Sequence, residues 1–228
     1  MTPRCLRFTL VAAPLLALLL LTGPAQAQTE SNLIPNPGFE DQDNFWGTFI
    51  PTESQNKGCE FNISKDSPHS GNACAELKST DFARFSIDLK DLSGDPIHTG
   101  ERGRLTFWIR AAKNTQVKGA PSFIVRILLL DDQGQPLPGD QALFVGLNGQ
   151  TTIQSPVSGL NLSMFPDPLP TEWTKVESVF EIPPDIKATR LGKPEFFVQY
   201  TLGSVFLDDL SLERVGKDVP LSLSSKKP

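Results

Sequence analysis

The chain is poor in polar-tipped aromatic rings, in soft metal ligands and in blocks of like charge. Its 228 residues hold one tyrosine, three tryptophans, three cysteines, two histidines and two methionines. Cys59, Cys74, His69 and His98 have no zinc-ligand spacing, and no cysteine stands with a histidine in a nucleophile arrangement. No run of five basic residues occurs, and acids outnumber bases 26 to 21, which argues against nucleic acid as the partner. No segment shows a sustained helical period with caps. With 20 prolines and 17 glycines, the chain is not a helical bundle.

The N-terminus reads as an export signal. Arg4 and Arg7 form a positive start, residues 8–21 are almost uninterruptedly apolar, and Gly23-Pro24 ends the run. Ala25-Gln26-Ala27 supplies the small residues of a cleavage site. The run is shorter than the ~20 residues that span a bilayer, and no second run of that length follows. The expectation is a signal peptide over 1–27 cut after Ala27, one domain over 30–214, a flexible tail over 215–228, and a secreted or periplasmic bacterial protein. Cleavage removes two arginines and no acid, taking the net charge from −5 to −7.

Past the signal the chain alternates with the period of strands. Leu105, Phe107 and Ile109 point one way, while Arg104, Thr106, Trp108 and Arg110 point the other. Val176, Phe180 and Ile182 alternate with Lys175, Glu177 and Glu181. Residues 123–130 form an apolar run broken by one charge, Arg126, and residues 131–136 read as a hairpin turn. Roughly nine or ten short strands predict an all-β fold, an antiparallel β-sandwich of jelly-roll type. In the last strand Val205 and Leu207 are apolar at odd positions and Leu210 and Leu212 at even ones, so a bulge is expected at Asp208-Asp209. Those acids either serve a cation or sit solvated at a strand end. With Cys5 removed, Cys59 and Cys74 remain, flanking a hairpin-like segment, and in an oxidising compartment they are expected to form a disulfide.

Four ordered segments carry a resemblance. They are Asn32-Leu-Ile-Pro-Asn-Pro-Gly-Phe-Glu40 with Trp46; His69-Ser-Gly71 with Ala73-Cys-Ala-Glu-Leu77; Gly103-Arg-Leu-Thr-Phe-Trp-Ile-Arg-Ala111; and Trp173 through Leu207-Asp-Asp-Leu-Ser-Leu212. Together they resemble the carbohydrate-binding modules of the family 4/9/22 type, galactose-binding-domain-like jelly rolls found beside cellulases and xylanases. The resemblance implies a structural calcium held by Asp208, with Gly38 and Gly71 offering backbone carbonyls and Glu40 a second carboxylate. Some relatives link the Cys74 position to the last strand; Phe206 fills that place here, which leaves Cys59 as the partner.

The resemblance further implies a ligand groove across one sheet, with planar polar groups on its floor and rings at its sides. Arg126 and Gln199 stand at groove positions and Phe49 where relatives carry a stacking ring. Glu195 shares a strand face with Gln199, and Trp108 and Arg110 are candidates for the same surface. Arg126 and Glu195 are alternatively a structural ion pair, and Trp46, Trp108 and Trp173 framework packing. The implied function is secreted, non-catalytic binding of a polysaccharide of β-glucan or xylan type, or of a cell-surface glycan, with any hydrolase separate. One alternative is a protein-interaction module on the same fold, which the scarcity of Tyr and Trp favours over a hydrolase. The other is a glycoside hydrolase, which needs a carboxylate pair where Glu195 alone is evident.

Overall fold

The computed structural model describes residues 31–139, 141–154 and 167–222. The export signal at 1–27 lies outside them. Ten strands are present among the described residues: β1 (Trp46–Phe49), β2 (Glu60–Ser64), β3 (Cys74–Leu89), β4 (Arg102–Ala111), β5 (Gln116–Val117), β6 (Phe123–Leu130), β7 (Ala142–Val145), β8 (Thr151–Gln154), β9 (Thr174–Glu181) and β10 (Arg190–Val215). Every pairing is antiparallel. The expected all-β sandwich of jelly-roll type is therefore the fold.

Two long strands serve both layers. The C-terminal half of β3 and the N-terminal half of β10 lie in a front sheet, ordered β1-β3-β10-β6-β7-β8. Their other halves lie in a back sheet with β2 beside β3, β4 beside β10, and β9 beyond β4. The β3–β10 register breaks between Val198 and Gly203, where the Ser79 hydroxyl donates to the Thr201 carbonyl at 2.6 Å. Gly203 has φ +112°, and a Cβ there would meet the Thr115 Cα at 2.9 Å, so this corner accepts only glycine.

The alternation read from sequence sets the core. Leu105, Phe107 and Ile109 of β4 are wholly buried against Phe85, Ile87, Val125, Ile127 and Phe196 of the front sheet. Trp46 packs at 5.1 Å from Phe39 and 6.1 Å from Phe196, and Phe107 at 5.6 Å from Phe196, in tilted or edge contacts. The apolar run of β6 buries both faces, because Ile124 on the outer side joins Ala142, Phe144 and Phe197 in a second cluster.

The N-terminal segment is stitched to the last strand. Asn32 donates to the Leu210 carbonyl at 2.9 Å and accepts from the amides of Ile34 and Leu212, both at 3.0 Å. The expected bulge is present: the β4–β10 register shifts between Asp208 and Ser211, with Asp209 at φ +47°.

Two expectations are corrected. Cys59 and Cys74 are both free thiols. The β2–β3 hairpin exists, but its register pairs Cys74 with Ser64 at the turn end, whereas Cys59 precedes Glu60 at the open end. Cys59 also packs on the main core, while alternation with the core residues Ala75 and Leu77 turns Cys74 to the outer face. Five residues of offset along the hairpin and opposed side-chain directions prevent an S–S bond. The tail is also held over its first residues. Arg102 donates to the carbonyls of Lys217 and Val219 at 2.5 and 2.6 Å, and Ser222 exchanges hydrogen bonds with the Val179 backbone at 2.9 and 2.8 Å. Residues 216–222 thus run beside β9; residues 223–228 lie outside the described set.

Candidate functional site

The outer face of the front sheet brings Arg126, Glu195, Gln199 and Phe49 onto one surface. Arg126 on β6 and Glu195 on β10 are direct cross-strand partners, with Nε 2.5 Å from Oε2. The Arg126 guanidinium also lies 5.2 Å from the Phe197 ring. On its other side Glu195 is paired with Asp88 of β3, and Asp88 accepts from the Ser86 hydroxyl at 2.5 Å. Phe49, on the edge strand β1, is paired with Ser86 and is 46% exposed.

Two carboxylates directly across a strand pair repel each other, and a sheet built only for stability avoids that arrangement. Burial pushes the Glu195 carboxyl above the usual range, Arg126 pulls it down, and the charge of Asp88 raises it again. Burial likewise raises Asp88, opposed by Ser86, Arg126 and Lys193. Asp88 and Ser86 escaped the sequence reading. Alternation with Phe85, Ile87 and Leu89 marks them as outward-facing, but the register that sets Asp88 opposite Glu195 has no local signal.

Gln199 stands where the β10 register breaks. It is only 5% exposed, and its Oε1 has no hydrogen-bond partner among the described residues. Arg84, on the adjacent stretch of β3, has a buried Nε that is equally without a partner. Beside Gln199, Tyr200 takes φ +47° and is 48% exposed. At the other end of this face a cleft of about 530 Å³ opens beside Asp88 and Glu195 and is bordered by Lys90, Arg190, Lys193 and Leu128.

Trp108 and Arg110 do not join this surface. They project from β4 on the outer side of the back sheet, with the sandwich core between them and Arg126. Trp108 stacks on His69 at 3.7 Å. Arg110 donates to the Asp66 carbonyl at 2.6 Å and lies 4.0 Å from the Phe206 ring and 5.1 Å from that of Trp173. The Trp173 indole donates to the Ser67 carbonyl at 2.9 Å. These side chains clamp the 66–70 turn. They are packing, the alternative that sequence left open for the tryptophans.

The four residues expected to hold calcium do converge. Asp208 is fully buried; its Oδ2 accepts from the amides of His69 and Ser70 at 2.8 and 3.2 Å, and its Oδ1 from Asp209 N at 2.8 Å. Glu40 accepts from the amides of Asn72 and Ala73 at 2.7 and 3.1 Å. Gly38 lies against the Asp208 and Asp209 carboxylates, and at Gly71, with φ +59°, a Cβ would overlap Glu40, so Gly71 is the glycine the approach requires. Burial holds the Asp208 carboxyl above the usual range, and Asp209 adds to that. Asp209 is paired with His69 at 2.6 Å. Among the described residues no three His, Cys, Asp or Glu side chains form a metal shell. As they stand, the carboxylates of Asp208 and Glu40 are engaged by backbone amides of the 69–73 turn and of Asp209.

No protein-family model and no curated protein matches the chain. Solved structures share its fold. The enzymatically active domain of tailspike protein 4 from bacteriophage CBA120 is 13% identical, with a TM-score of 0.54 over 81% of this chain and 21% of that one. The chain therefore spans about a fifth of that structure. A cyclase from Fischerella sp. TAU is 12% identical, with a TM-score of 0.52 over 84% of this chain and 100% of the other. TmCBM61, solved in complex with beta-1,4-galactotriose, is 16% identical, with a TM-score of 0.46 over 81% and 99%.

Proposed function

We propose that this protein binds a polysaccharide on the outer face of the front sheet, making and breaking no bond. The observation that carries the reading is Gln199. A buried amide oxygen without a donor costs about 1–3 kcal/mol, which a ligand hydroxyl offsets. A sugar hydroxyl both donates and accepts, so it suits the Gln199 amide once that side chain turns outward from its buried position. Arg126, Glu195 and Asp88 provide further planar groups along the same face, and Phe49 and Tyr200 are exposed rings for sugar C–H faces.

In this reading the chain is exported, and the 1–27 segment is removed after Ala27. Calcium bound by Asp208 and Glu40, with the Gly38 and Gly71 carbonyls, ties the N-terminal segment and the 69–71 turn to β10; its part is structural.

Affinity electrophoresis against a panel of polysaccharides tests the reading. Retardation on at least one polymer is expected, with a loss of tenfold or more in Gln199→Ala. No retardation on any polysaccharide overturns it. Asp88 supplies the second carboxylate that Glu195 lacked on sequence grounds, so the same polymers are assayed for reducing-sugar release. Release abolished by Glu195→Gln replaces binding with hydrolysis as the function.

A further inference from the structure

The cleft of about 530 Å³ at the 88–96 end of the front sheet differs in chemistry from the rest of that face. Among the described residues no aromatic ring lines it. A neutral glycan chain depends on rings for the apolar faces of its sugars, and this cleft offers leucines and prolines instead. It also presents three cations from two strand ends: Lys90 at the end of β3, and Arg190 and Lys193 at the start of β10.

None of these three is in an ion pair among the described residues. Lys193 donates to the Lys90 carbonyl at 2.6 Å, which draws the two side chains' strand ends together. The Arg190 guanidinium lies over Gly134, where an added Cβ would come within 2.6 Å of Nη2, so it rests on the 131–135 turn at the cleft wall. Of the acids in the cleft, Glu195 is paired with Arg126, Asp88 accepts from Ser86 and keeps its charge, and Asp91 is exposed at the rim. The protein carries a net charge of −5, so three cations gathered in one cleft, beside Asp88, Asp91 and Glu195, do not follow from overall composition.

We propose that this cleft receives the carboxylate of an acidic, uronate-bearing polysaccharide. Arg190 offers the planar fork that matches a carboxylate, with Lys90 and Lys193 as flanking point charges. Binding here rests on the polysaccharide reading above and names its substrate class. Arg126, Glu195 and Gln199 hold the hydroxyls of the same chain further along the sheet.

The test compares retardation in gels containing polygalacturonate, alginate, unsubstituted xylan or hydroxyethylcellulose, for the wild type, Arg190→Ala, Lys193→Ala and the double variant, each checked for native melting. The expected result is preferential retention on the uronate polymers, weakened at least tenfold in the double variant. Raising salt from about 0.05 to about 0.5 M weakens it further. Because the protein is anionic, bulk attraction to a polyanion cannot produce that result. Equal or stronger binding to the neutral polymers, insensitive to salt and to both substitutions, overturns the proposal and leaves the polysaccharide reading intact. Equal retention on single-stranded DNA also overturns it, as general polyanion capture. Absence of binding to every polymer overturns both.

Discussion

Replacing Arg126 by methionine tests whether the front-sheet carboxylates are a charged site under strain. In the native protein the guanidinium contacts Glu195 at 2.5 Å and draws down the carboxyls of both Glu195 and Asp88. Its loss leaves two half-buried acids paired across β3 and β10, with Lys193 as the remaining nearby cation. Breaking a fully buried ion pair costs about 3–5 kcal/mol and a surface pair about 0–1. The Arg126 and Glu195 side chains are 27% and 17% exposed, which places the cost between these limits, at about 2–3 kcal/mol. For a domain of this size that lowers the melting temperature by roughly 5–10 °C.

The pH dependence of this loss has a definite sign. Both acids have folded-state pKa values above their unfolded ones. Between the two values the folded state therefore binds more protons, and stability falls as pH rises through that window. Without Arg126 the folded values move higher still. The deficit of Arg126→Met is therefore largest near pH 7 and shrinks as pH falls toward the carboxylate range. Urea unfolding at several pH values measures it, and adding Glu195→Gln to the variant restores most of the loss by removing one of the repelling charges. A deficit independent of pH, together with a double variant whose losses merely add, refutes the reasoning.

Three other outcomes follow from the structure. Without any reductant, Cys59 and Cys74 are both alkylated once the protein is unfolded; in the native state Cys74 resists labelling, because burial pushes its thiol up to about 12. A mass showing a Cys59–Cys74 disulfide contradicts the hairpin register. Asp208→Ala strips the acceptor from three backbone amides and destabilises the protein by about 2–4 kcal/mol in thermal melting. Chelator lowers the melting temperature of the wild type and not of this variant; an unchanged wild-type curve and no bound metal dismiss calcium. Trp108→Ala leaves polysaccharide retention unaltered while loosening the 66–70 turn, seen as faster amide exchange at His69 and Ser70; lost retention would return Trp108 to the ligand surface.

The legible part of this molecule is what alternation and local turns encode. Leu105, Phe107 and Ile109 announce β4, and the odd-to-even shift between Leu207 and Leu210 announces the bulge at Asp209. Asp131 folds its own turn by accepting from the amides of Gln133 and Gln135. What sequence hid is pairing between distant strands. Asp88 meets Glu195 only through a register spanning more than a hundred residues. Trp108 and Arg126 share an outward parity yet face away from opposite sides of the core, because parity tells which residues leave a sheet and not which sheet they leave. The disulfide failed for a related reason. Closeness in sequence across a hairpin is closeness in space only for residues in register, and Cys59 and Cys74 are at opposite ends of it.

The double membership of β10 bears on how the protein opens. This strand is interior in both layers, flanked by β3 and β6 in front and by β3 and β4 behind. Neither layer can peel away as an independent unit, because freeing β10 from one neighbour leaves it hydrogen-bonded to another in each half. Its inner amides exchange with solvent only through global unfolding, whereas β8, at the front edge, opens at lower cost. The strand that carries Glu195 and Gln199 is thereby expected among the slowest-exchanging of the described segments, so most of the polar face it presents is set before any ligand arrives.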